Sequence, residues 1–111
     1  MRALLAAALM MVATATVGRT EEVGTVAGAG WVSCAEFAQR YKESPGPTED
    51  YFYAWAQGYM SGVNQASWTR KNLRGIPVEN QKNYIRQHCD KHPLINYGLA
   101  VQSLFESLPN R

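Results

Sequence analysis

The sequence predicts an all-α fold of four helices, or five, closed by one disulfide, and three observations carry that expectation. Apolar residues recur at three- and four-residue steps in separate stretches, and no stretch alternates with the period of two that a half-buried strand shows. The longest of these stretches, Tyr51 to Thr69, runs without a formal charge in a chain that is 18% charged and is expected to be the central buried helix. The two cysteines, Cys34 and Cys89, allow a single connectivity.

The chain begins like a secretory signal. Arg2 is a short basic start, Ala3 to Val12 an apolar run, and Ala13-Thr14-Ala15 a small-x-small cleavage site. This divides the chain into a signal over 1–18, a flexible small-residue linker over 19–32 and one helical domain over 33–109. Export places the protein in the periplasm or outside the cell, with no membrane span once the signal is removed. In that oxidising setting Cys34 and Cys89 read as a staple worth about 4 kcal/mol by loop-closure entropy. Free redox-active thiols are the alternative, with no C-x-x-C to support them.

Each helix has its own signals. Ser33 and Glu36 form a capping box for the first, which places Cys34, Phe37 and Tyr41 on one face and ends near Lys42. Ser44-Pro45-Gly46-Pro47 reads as a stiff turn, after which Thr48 caps the central helix with Glu49 and Asp50 in its first turn. In that helix Phe52, Trp55, Tyr59, Gly62, Val63 and Ala66 gather on the side expected to be core. Gln57, Ser61, Asn64, Gln65 and Trp68 gather opposite. Ala54, Gly58, Gly62 and Ala66 recur every four residues, a ridge expected to admit a neighbouring backbone, so that a larger residue at Gly58 or Gly62 would force it away. Gln57, Asn64 and Gln65 would sit near mid-bilayer, which argues against a membrane span. Pro77 opens a third helix running to about Lys91, with Val78, Tyr84, Ile85 and Cys89 inward. His92-Pro93 stops it. Pro93 then opens a fourth, carrying Leu94, Tyr97, Val101, Leu104, Phe105 and Leu108, and Pro109 ends the fold.

Charge and motif exclude several functions. With Arg2 removed, ten basic residues stand against nine acidic ones, too even for a nucleic-acid footprint. His88-Cys89-x-x-His92 invites a zinc reading, but His92 precedes proline and a bonded Cys89 leaves two ligands, so no metal or other cofactor is expected. No serine sits on a nucleophile elbow, and a Cys-His pair would need a free thiolate, so the chain does not read as an enzyme. The stretch from Trp68 to Gly75 has two readings. Trp68, Arg70, Lys71 and Arg74 form either a recognition surface for an acidic protein partner or a solvated connection.

Gly58, Tyr59, Gly62, Val63 and Ala66, followed by His92, Pro93, Ala100, Leu104 and Leu108, resemble the Rap/Tai immunity proteins. These are small exported helical proteins that neutralise peptidoglycan amidases delivered by type VI secretion. Cys34 and Phe37, then Trp55-Ala56-Gln57-Gly58-Tyr59 and the second cysteine, also resemble the HdeA/HdeB acid-stress chaperones. Both resemblances imply a compact, disulfide-stapled, HdeA-like bundle in the periplasm. The first implies an inhibitor whose partner is a secreted amidase toxin, the second a chaperone of unfolded periplasmic clients, and a homodimer is a separate partner reading. An envelope protein of neither activity is the third reading. The chain departs from the immunity family in lacking a further cysteine pair, and from the chaperones in its slightly basic balance.

Overall fold

A computed structural model of the chain describes residues 25–68 and 70–111, and these form four α-helices and one short 3-10 turn, with no strand. The predicted signal and most of the predicted linker lie outside the described residues. Helix α1, Cys34–Glu43, starts as its capping signal requires: Ser33 Oγ accepts from the Glu36 N–H at 3.1 Å. Helix α2, Pro45–Ala66, follows with Ser44 alone between them. The Ser44–Pro47 stretch is therefore not a separate turn. Pro45 and Pro47 occupy the first turn of α2, where a missing N–H costs nothing, and Thr48 is inside the helix, its hydroxyl donating to the Arg40 carbonyl at 3.0 Å.

Helix α2 is not the buried centre of the molecule. Four of its 22 residues are buried, Phe52, Tyr53, Ala56 and Met60, with Trp55, Tyr59 and Val63 half-buried. Gly62 and Ala66, expected in the core, are exposed. So are Ala54 and Gly58, and a Cβ built on Gly58 or Gly62 meets nothing within 4 Å. Among the described residues, no neighbouring backbone therefore packs on the glycines of this ridge. The lack of charge marks a polar surface of amide, hydroxyl and glycine groups, which keep one face of the helix in water as well as charges do.

The central element is α4, Tyr97–Ser107, which buries six of its eleven residues, Tyr97, Gly98, Ala100, Val101, Leu104 and Phe105. It starts later than Pro93. Asn96 is the cap, its side-chain oxygen accepting from the Leu99 N–H at 2.8 Å, and Leu94 stands outside the helix and exposed. Helix α3, Val78–Lys91, buries Gln81, Ile85 and Cys89, each one turn from the next. Val78, expected inside, is exposed in the first turn, one turn before the buried stripe begins at Gln81.

Phe37 of α1, Phe52 of α2 and Tyr97 of α4 meet with all three centroid separations at 4.9 Å, a tilted aromatic cluster at the heart of the core. Beside it the Cys34–Cys89 disulfide joins the start of α1 to the end of α3, with Cα atoms 4.8 Å apart. Glu49 of α2 and Arg86 of α3 form a partly buried ion pair across the same end.

The linker expectation fails over Gly28–Trp31, a 3-10 turn that buries Ala29 and Gly30 against α2 and α4. Gly28 has φ 71°, a left-handed conformation that glycine adopts freely. Gly30 lies under the Trp55 indole so closely that a Cβ there would collide with the ring, and Trp55 Nε1 donates to the Ala27 carbonyl at 2.9 Å. Small residues are here the condition for packing, not a sign of its absence.

Candidate functional site

The segment between Ala66 and Val78 connects α2 to α3, and from Arg70 to Ile76 its backbone is held from three directions. From α2, the Asn64 side chain accepts from the Lys71 N–H at 2.7 Å and donates to the Lys71 carbonyl at 3.1 Å. From α3, Gln81 Nε2 donates to the Leu73 and Ile76 carbonyls, each at 2.8 Å, while Gln81 Oε1 accepts from the Tyr53 hydroxyl at 2.8 Å. From the tail after α4, the Pro109 carbonyl accepts from the Asn72 N–H at 2.7 Å and the Arg111 N–H donates to the Arg70 carbonyl at 2.9 Å, an antiparallel bridge pairing Lys71 with Asn110. Leu73 and Ile76 pack against the core below.

Gln81 is the buried polar side chain of the core, 2% exposed, and all of its contacts serve this connection or Tyr53. Burial raises the Tyr53 hydroxyl above its ordinary pKa, with Glu79 adding to the effect, so the phenol keeps the proton it donates to Gln81. Sequence reasoning missed Gln81 and placed Asn64 on a plain polar face. The signal for Gln81 was available: it stands one turn before Ile85 and two before Cys89, in line with the buried stripe of α3. The contribution of Asn110 and Arg111 had none, since pairing across forty residues leaves no local pattern.

Of the four residues singled out from the sequence, Arg70, Lys71 and Arg74 stand on this brace and Trp68 precedes it. Trp68 is fully exposed, Arg70 and Arg74 are exposed, and Lys71 is half-buried with its ammonium donating to the Glu106 carbonyl at 3.2 Å. Among the described residues the ion pairs are Glu36–Arg40, Glu79–Lys82 and Glu49–Arg86, none of which uses a loop residue. Arg70, Lys71 and Arg74 therefore bring together positive charge that no acidic side chain of the described fold neutralises.

The remaining motif residues serve packing and termini. Trp55 and Tyr59 stack at 5.2 Å between centroids, and Val63 packs on the core edge. The His92 N–H closes α3, donating to the His88 carbonyl at 3.0 Å, and the Pro93 carbonyl accepts from the Ala35 N–H at 3.0 Å. Despite the proline, His88 and His92 do share a face, with ring centroids 4.6 Å apart. Burial lowers the His88 pKa from its ordinary value, helped by His92 and Lys91. Cys89 is bonded, and the described residues contain no group of three metal-ligating side chains. No described helix is long and apolar enough to cross a membrane. Comparison with protein-family models, with curated proteins and with solved structures returned no match to this chain.

Proposed function

We propose that this is a non-catalytic, exported protein whose task is to bind another protein through Trp68 and the braced loop after it. One observation carries the reading: Arg70, Lys71 and Arg74, which follow a fully exposed tryptophan in the chain and which no acidic side chain of the described fold pairs, stand on a backbone already fixed by Asn64, Gln81 and the C-terminal tail. Tryptophan and arginine contribute disproportionately to binding energy at protein interfaces, and a loop ordered in advance loses little entropy on docking. The resemblance of Gly58, Tyr59, Gly62, Val63 and Ala66 to the immunity proteins makes a secreted cell-wall amidase the partner to test first. Inhibition then requires only that this rigid projection cover the enzyme's cleft, with no chemistry on the inhibitor's side.

The test is affinity against such an amidase encoded beside the gene. Trp68→Ala or Arg74→Ala is expected to weaken binding by about 2 kcal/mol, roughly thirtyfold, while stability moves by less than about 0.5 kcal/mol. Variants that bind as tightly as the parent chain would remove the loop from the interface.

A further inference from the structure

Two open grooves flank the loop, and Leu73 and Arg74 line both. The one toward α2 and α3, of about 470 Å³, is lined by Met60, Leu73, Ile76 and Val78 together with Gln57 and Ser61. The one toward the tail, of about 500 Å³, is lined by Lys71, Arg74 and Arg111 with Asn64 and Asn72. Neither contains a carboxylate side chain among its lining residues. One is mainly apolar and the other basic, with Arg74 shared between them.

We propose that the two are halves of a single docking groove for an acidic peptide segment of the partner, an apolar side chain entering the first half and adjacent carboxylates the second. The proposal rests on the protein-binding reading above and specifies what the partner must present. Charge complementarity selects this occupant: the cations are unpaired within the described fold, so a carboxylate brought to them gains attraction without breaking an existing ion pair. The apolar wall adds what a simple polyanion cannot use. Val78 is 46% exposed, and covering it together with Leu73 and Ile76 gives an apolar side chain a place to leave water. Gln57 and Ser61, which make no side-chain hydrogen bond among the described residues, are free to meet the backbone of an extended segment.

The experiment titrates the ¹⁵N-labelled exported chain with capped peptides Gly-Leu-Glu-Glu-Gly, Gly-Gly-Glu-Glu-Gly and Gly-Leu-Lys-Lys-Gly, and with inorganic phosphate, following amide shifts. The first peptide is expected to give saturable shifts at Ser61, Leu73 and Arg74. Replacing its leucine by glycine or its glutamates by lysine should each weaken binding about fivefold or more, as should Arg74→Ala or the groove-filling Ser61→Trp. No saturation by about 10 mM, equal binding of the leucine-free peptide or of phosphate, or indifference to Ser61→Trp overturns the proposal. The same variants separate it from the broader reading. If an amidase partner is lost on Trp68→Ala but kept on Ser61→Trp, the loop binds and the groove does not. If Trp68→Ala and Arg74→Ala both keep the partner, the protein-binding role of the loop fails as well.

Discussion

The two ends of α4 are anchored by the same backbone device and surrounded by side chains used in opposite ways. At its start, Cys34 and Tyr97 donate backbone N–H groups to the Ile95 and Val32 carbonyls, a bridge pairing Ser33 with Asn96. Around it lie the disulfide, the Phe37–Phe52–Tyr97 cluster and the Glu49–Arg86 pair, where burial opposes the Arg86 charge but the hydrogen bond and attraction of Glu49 outweigh it. At its end, Asn72 and Arg111 make the equivalent bonds, but neutral amides from Asn64 and Gln81 hold the backbone and leave the cations unspent. The difference teaches where to look for function. Neutral amides can fix a loop without consuming its charge, whereas the first end satisfies its own charges internally.

The largest expected effect acts on both ends at once. Reducing Cys34–Cys89, which are separated by 55 residues, should lower unfolding free energy by about 4 kcal/mol, because the cross-link chiefly restricts the unfolded chain. Urea unfolding with and without reductant measures it. For the same reason the native amide spectrum of residues 70–76 is expected to stay unchanged, and large shifts there would show that the staple shapes the loop directly.

Gln81→Leu attacks one end alone. It keeps the volume but leaves the Leu73 and Ile76 carbonyls and the Tyr53 hydroxyl without their partner, an expected loss of about 3 kcal/mol. Amide exchange should accelerate across 70–76 and not at Cys34 or Tyr97. Uniform acceleration would mean that the brace supports the whole bundle rather than the loop.

The helix content, the Ser33 cap and the cysteine pairing were legible because each rests on local or compositional signals. What misled was reading an uncharged stretch as a buried one. Periodicity places Gly58 and Gly62 on a common face but does not say what that face meets, and here no described residue packs on either glycine. The loop residues were legible as chemistry, Trp68, Arg70, Lys71 and Arg74, yet not as a braced surface. Their supports come from Asn64, from Gln81 and from the tail beyond Pro109, partners that only the folded chain assembles.

That misreading yields a prediction of opposite sign. With no described residue within 4 Å of a Cβ there, Gly62→Ala should stabilise the loop end of α2 by about 1 kcal/mol through helix propensity, with no overpacking penalty. A lowered melting temperature would restore the close-packing expectation and require a partner on that face.

The smallest effect concerns the other end, through His88. Burial, followed by the nearby charges of His92 and Lys91, holds its folded pKa below the ordinary 6.5. The unfolded chain therefore takes up the proton at higher pH than the folded one. Its contribution to stability is complete above about pH 6.5 and is lost as pH falls through the folded value. Since the ring is half-exposed beside Tyr84 and His92, the loss should be under about 1 kcal/mol, seen as a melting temperature lower by a few degrees at pH 5 than at pH 7.5. His88→Gln should flatten that slope, while Lys71→Ala and Arg74→Ala, at the end whose grooves contain no histidine, should leave it intact. A slope that survives His88→Gln but disappears with the loop variants would move the pH-sensitive contact to the basic end, and the contrast between the two ends would have to be drawn the other way.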